Sequence, residues 1–159
     1  MGKVFANSKD LSRELDLVRS QPPVGRKVVF TNGCFDILHL GHVRYLKEAR
    51  ALGDYLVVGL NSDQSVKSLK GPTRPVQSED ARAEILAALS CVDAVAIFSE
   101  QTAENLISDV KPDIYVKGGD YTVHTIIEAP IVLAYGGVVK VLKFTPGFST
   151  SSIIEKMKS

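Results

Sequence analysis

The sequence predicts an α/β protein built on a five-stranded parallel sheet with helices on both faces. Two observations predict it. Five short, largely apolar runs, at 27–30, 55–60, 94–98, 113–117 and 138–144, read as strands buried on both faces. Between them lie segments of helical periodicity that serve as crossovers, and Gly, Pro, Ser, Asn and Asp punctuate the joints. Right-handed crossovers bring the C-terminal ends of all the strands to one edge, where ligands bind in such sheets.

Each element follows in order. Leu11, Leu15 and Val18 recur at helical spacing behind Ser8, an expected N-cap, and Pro22, Pro23 and Gly25 end that helix. Residues 1–25 are therefore expected as an appended helix and linker, and 26–159 as the main domain. The first strand, 27–30, leads to a helix over 41–52 that packs Val43, Leu46 and Ala49, with Gly53 suited to the C′ position. After the strand 55–60, Asn61, Ser62 and Asp63 can cap a helix running to Lys70. A loop at 71–76 precedes a helix capped by Ser78 that packs Ile85, Leu86 and Leu89. The strand 94–98 is followed by a helix beginning at Thr102, and the strand 113–117 ends at Gly118 and Gly119. A helix over 124–135, the strand 138–144 and a closing helix over 149–158 complete the chain.

The composition narrows the function classes. With 159 residues, 45% of them hydrophobic and 23% charged, the chain can bury a core without disulfides or structural metal. A formal net charge of +1 argues against a general nucleic-acid binder, which carries a strong basic excess. Cys34 and Cys91 form no CxxC pair and read as reduced thiols of a cytoplasmic protein. The N-terminus lacks the apolar core of a signal peptide, and no stretch approaches the ~20 apolar residues of a membrane span.

The stretch TNGCFDILHLGHVRYL, residues 31–46, carries the chemistry. His39 and His42 lie three residues apart, on one face of a helix starting near residue 40. Packing is one reading, since a lone histidine is more often structural than catalytic. A metal site is a second, but it usually needs three or four protein ligands. Only Cys34 and Asp36 are close by, and His124 is the sole remaining histidine. A phosphate site is the third: a helix N-terminus offers free N–H groups, and Gly41 has no side chain to block the approach. The spacing suits charge stabilisation on phosphorus better than metal binding.

Three further stretches fall on the same sheet edge. Lys67, Lys70, Arg74 and Arg82 form a local basic cluster, either a solvated surface or a phosphate contact. The run from Lys117 to Tyr121 is either a plain turn or a place of close backbone approach at its paired glycines. Ser149, Thr150 and Ser151 cap the last helix, and the same groups can meet a triphosphate.

Taken in order, TNGCFDILHLGH, NSDQSVKSLKGPTRPV, VKGGDY and GFSTSSII resemble the motifs of the HxGH nucleotidyltransferases of the cytidylyltransferase-like branch. The nearest resemblance, over about residues 26–158, is to the heptose 1-phosphate adenylyltransferase domain of ADP-heptose synthases. It implies a Rossmann-like sheet and direct in-line transfer from a nucleoside triphosphate to a phosphorylated acceptor, with release of pyrophosphate. On this resemblance His39, His42, Lys70 and Asp36 form the catalytic set. Thr31, Asn32, Gly33, Phe35 and Gly41 would hold the nucleotide, together with Gly118, Gly119 and Asp120 and with Ser149, Thr150 and Ser151. Cys34, Asp63, Arg74 and Arg82 would meet the substrate phosphate. Mg²⁺ is expected with ATP, because a carboxylate beside phosphates needs an intervening cation.

The implied partners are ATP and a sugar 1-phosphate, a second copy of the chain in a homo-oligomer, and a separate heptose kinase supplying the acceptor. Glycerol-phosphate cytidylyltransferases carry an arginine-bearing RTEGIST motif before the last helix. Residues 144–150 contain no arginine, which favours the heptose-phosphate reading. A cytidylyltransferase acting on a small polyol or amino-alcohol phosphate is the alternative within the class. A non-catalytic nucleotide-binding module is the alternative outside it.

Overall fold

The computed structural model describes all residues, 1–159. Six parallel strands form one sheet: β1 (Lys3–Phe5), β2 (Val28–Gly33), β3 (Tyr55–Asn61), β4 (Ala94–Phe98), β5 (Ile114–Gly118) and β6 (Val138–Leu142). Their order across the sheet is β1-β4-β3-β2-β5-β6. The chain runs outward from β2 through β3 to β4, then returns to the other side of β2 to place β5. The point where the direction reverses lies between β2 and β5, and a crevice opens there at the strands' C-terminal ends.

Seven helices cover the sheet: α1 (Ser8–Ser20), α2 (Leu40–Arg50), α3 (Asp63–Lys70), α4 (Glu79–Ala87), α5 (Glu104–Val110), α6 (Ala129–Ala134) and α7 (Thr150–Lys158). One core joins Leu11 and Leu15 of α1, Leu106 and Ile107 of α5 and Val132 of α6 to Phe30 and Tyr115. The other joins Leu46 and Ala49 of α2 and Ala83 and Leu86 of α4 to Val29, Val58 and Val95. Both faces are thus apolar, which is why the strands lack polar alternation. No helix is long and apolar enough to cross a membrane.

The differences from expectation have local causes. The sixth strand, β1, is only three residues long, too short for an apolar run, and forms by pairing with the edge of β4. Asn7 rather than Ser8 caps α1, its side chain accepting from the Asp10 N–H. The helix expected over 124–135 is a 3₁₀ turn (Val123–Thr125) followed by α6, because Pro130 lacks an N–H and fits only a helix's first turn. Helix α5 starts at Glu104, with the Thr102 hydroxyl donating to the Glu104 carboxylate. Ile85 faces solvent; Ala83, Leu86 and Ala87 form the packed face of α4. Gly53 serves packing: a Cβ there would stand 2.7 Å from Val29 Cγ2 and 2.8 Å from the Lys27 carbonyl oxygen.

Candidate active site

At the C-terminal edge of the sheet lies a cavity of about 690 Å³. Its walls come from the β2–α2 loop, the end of α3 and the loop after it, the end of β5 with the turn beyond, and the start of α7.

The chain leaves β2 through Gly33 and reverses at Phe35, whose φ of 42° is left-handed. A non-glycine residue there stores roughly 1–3 kcal/mol of strain. The turn buries the Phe35 ring, which stands 5.2 Å from the His42 ring, and a Cβ on Gly33 would come within 3.0 Å of it. His39 is the N-cap of α2 and pairs reciprocally with His42. Each Nδ1 accepts from the other residue's backbone N–H, both at 3.4 Å, and the rings stack with centroids 3.7 Å apart.

Because Nδ1 accepts in both rings, the proton of each neutral imidazole sits on Nε2, as a donor. Burial pushes the His39 pKa down. Burial, then the neighbouring His39, pushes His42 down to about 4. The pair is thus neutral without a ligand. The space beside Gly41 is filled rather than open: a Cβ would meet the His39 ring at 3.0 Å and Phe148 Cβ at 3.1 Å. Glycine at 41 is what lets the His39 ring and Phe148, just before α7, close together.

Two helix starts meet in this cavity. The N–H groups of Leu40 and Gly41 in α2, and of Thr150 and Ser151 in α7, have no backbone or side-chain partner. Ser149 caps α7 by accepting from the Ser152 N–H, and the Thr150 hydroxyl donates to the Ile37 carbonyl at 3.3 Å, tying α7 to the histidine loop. Gly41, Ser149, Thr150 and Ser151 all line the cavity. Free N–H groups at a positive dipole end make an anion site.

Asp36 is buried and serves as a bracket. Its carboxylate accepts from the N–H groups of Val76 and Gln77 at 2.9 and 3.0 Å and from Arg74 Nε at 2.6 Å. Burial alone would push its pKa up, but the Gln77 and Val76 N–H groups and Arg74 outweigh it and hold it below the ordinary carboxylate value. Arg74 is bound through Nε alone: no protein group hydrogen-bonds its two terminal nitrogens, and the side chain, 15% exposed, lines the cavity. Lys70 lines it as well and has no ion-pair partner within the chain. Asn32 keeps its amide nitrogen unpaired, since only its Oδ1 is engaged, by the Tyr115 hydroxyl at 2.7 Å.

Several residues expected at the site lie outside it. Arg82 is 1% exposed and every nitrogen of its guanidinium is engaged: Nε donates to Gln77, Nη1 to the Cys34 and Asn61 carbonyls, and Nη2 to Asp63. Arg82 and Asp63 therefore hold the cavity's back wall and do not reach a phosphate. Thr31 is fully buried, its hydroxyl 2.6 Å from that of Tyr45. Gly119 and Asp120 fall just beyond the lining, while Gly118 reaches it. Cys34 lines it, but burial pushes its thiol up against the pull of Lys70, Arg82 and Arg74, so it stays protonated. Nowhere in the chain are three His, Cys, Asp or Glu side chains grouped to hold a metal, and Asp36 is already saturated by its own partners.

The structure also adds residues. Tyr45, Phe144, Phe148 and Glu128 line the cavity. The signal for Phe144 and Tyr45 was Gly118, where a Cβ would stand 2.7 Å from Phe144 and 2.9 Å from Tyr45.

The profile of the cytidylyltransferase-like family matches residues 30–156, which span every wall of this cavity. The chain belongs to the cytidylyltransferase-like family of nucleotidyltransferases. Among curated relatives, the bifunctional protein HldE of Syntrophotalea carbinolica is 54% identical over 142 residues, covering 89% of this chain and 29% of the relative. That of Trichlorobacter lovleyi is 51% identical over 154 residues, covering 96% and 31%. The chain thus spans less than a third of the length of these relatives.

Among solved structures, a lipopolysaccharide core biosynthesis protein from Thermoplasma volcanium aligns with a TM-score of 0.61 at 35% identity, covering 76% of this chain and 98% of that one. A pantoate-beta-alanine ligase from Francisella tularensis, complexed with beta-gamma ATP and beta-alanine, shares the fold at TM-score 0.58 and 16% identity, covering 99% of this chain and 77% of that one.

Proposed function

We propose that the protein transfers AMP from ATP to D-glycero-β-D-manno-heptose 1-phosphate, forming ADP-heptose and pyrophosphate for lipopolysaccharide core synthesis. The observation that carries the reading is the stacked histidine pair: two Nε2–H donors beside two free helix starts, in one cavity. The sugar phosphate is chosen on the resemblance of the four sequence motifs and on two of the relatives, the bifunctional protein HldE and the lipopolysaccharide core biosynthesis protein.

In this reaction an oxygen of the acceptor phosphate attacks the α-phosphorus of ATP as the bond to the β-phosphate oxygen breaks. Charge grows on the α-phosphate oxygens and on the leaving pyrophosphate. His39 and His42 donate to that charge from positions fixed before the substrate arrives, and preorganised donors of this kind are the largest source of stabilisation in such transfers. The starts of α2 and α7 hold the triphosphate. Arg74, aimed by Asp36, and Lys70 take the acceptor phosphate and bring two anions together. Mg²⁺ would enter with the nucleotide, held by phosphate oxygens and water, which suits a cavity whose bracketing carboxylate is already saturated. The protonated Cys34 thiol fits a transfer without a covalent enzyme intermediate.

The test is pyrophosphate release with four nucleoside triphosphates crossed against heptose 1-phosphate and glycerol 3-phosphate. ATP with the heptose phosphate should dominate. Preference for CTP and glycerol 3-phosphate would replace this reading with a cytidylyltransferase one. Tight nucleotide binding without turnover of any pair would replace it with a sensor.

A further inference from the structure

Glu128 is 4% exposed, yet it lines the cavity. The Tyr115 hydroxyl is the one hydrogen-bonding side chain close to its carboxylate, and Lys117 Nζ, the one cation beside it, stands 4.0 Å away. Tyr115 lies near enough that, after burial, the Glu128 charge is what most raises its pKa. Its proton nevertheless goes to Asn32 Oδ1 at 2.7 Å. Lys117 is itself held by the Tyr121 ring, 5.4 Å from its centroid. The Glu128 oxygens reach the cavity, so their unfilled acceptor capacity is offered to whatever donors occupy that space.

The cavity's other groups define what that partner is. The donors for phosphate, His39, His42, Lys70 and Arg74, come from the β2–α2 loop with the start of α2 and from the segment after β3, whereas Lys117 at the end of β5 and Glu128 beyond it form another wall. A carboxylate repels phosphate and accepts hydrogen bonds only. Its two oxygens match two adjacent hydroxyl donors. We propose that Glu128, with its charge offset by Lys117, is the sugar-hydroxyl subsite of the cavity and binds a vicinal diol. That diol belongs either to the nucleotide ribose or to the sugar ring of the acceptor. This inference rests on the nucleotidyltransferase reading of the cavity.

The test compares the full chain with its Glu128→Gln and Glu128→Ala variants. ATP, 2′-deoxy-ATP, 3′-deoxy-ATP, heptose 1-phosphate and its mono-deoxy analogues are titrated calorimetrically, and KM values are measured where turnover occurs. Losing a charged acceptor should weaken binding of one substrate by about 10- to 100-fold, with the isosteric Gln at the low end. The other substrate's affinity should be unchanged, and the thermal midpoint should not fall. The gap between wild type and variant should close for the analogue lacking the bound hydroxyl. Closure with a deoxy-ATP assigns the subsite to ribose; closure with a deoxy-heptose phosphate assigns it to the acceptor.

An equal loss for hydroxylated and deoxy ligands, or no loss for any of them, overturns the subsite. An inactive wild type that still binds these ligands would sink the proposed reaction, while the binding contrast still decides on Glu128.

Discussion

The histidine pair sets what the site does with protons. In the fold, burial and then the neighbouring His39 push His42 down to about 4, against 6.5 for a free ring. A ring kept neutral by burial contributes stability that is complete above pH 6.5 and is lost as pH falls toward 4. A bound phosphate acts the other way, because a nearby anion favours the charged imidazole. Stacked rings 3.7 Å apart repel each other when both are charged, so one proton at a time is the rule. Nucleotide binding near about pH 6 should therefore take up protons, read by calorimetry in two buffers of different ionisation enthalpy. Zero uptake over about pH 5.5–7 would mean that both rings stay neutral when the nucleotide binds.

His42→Ala should lower turnover by about 10²–10³. His39→Ala should do the same and also lose a helix cap, costing stability by about 1 kcal/mol. Turnover within a few-fold of wild type in either variant would remove the pair from the chemistry.

At the scale of elements, two arginines of the segment following β3 have opposite tasks. Arg82 satisfies two buried carbonyls and Asp63, so Arg82→Ala should destabilise the fold by about 3 kcal/mol, seen in chemical denaturation. Arg74→Ala should instead raise the acceptor KM by about tenfold or more and leave the KM for ATP nearly unchanged. Gly53→Ala should cost about 1–3 kcal/mol through its clash with Val29 and the Lys27 carbonyl, and leave the substrate KM values as they were.

These contrasts also mark what the sequence could reveal. Periodicity announces strands β2 to β6 and most helices, because burial on both faces leaves an apolar signature. The motif around His39 is legible because its spacing fits a helix start. Arg74 and Arg82 look alike in sequence, since only the tertiary position of the Cys34 and Asn61 carbonyls separates an arginine with free terminal nitrogens from a structural strut. Glu128 is invisible for the same reason: its burial arises from how the turn after β5 folds back.

For the molecule as a whole, the N-terminal segment is woven into the sheet. β1 extends the β4 edge, and Leu11 and Leu15 are fully buried, each stabilising the fold by about 1.5–3 kcal/mol. A chain cut to residues 26–159 should lose its cooperative unfolding transition by circular dichroism, whereas an independently folding core would keep it.

The closing helix presents the reverse case. No residue of α7 is buried, and its side-chain link to the histidine loop is the Thr150 contact with Ile37. An element so loosely moored has most of its stability to gain from whatever bridges its first turn to His39. Its amides, over 150–158, are accordingly where hydrogen–deuterium exchange should slow most when ATP is added.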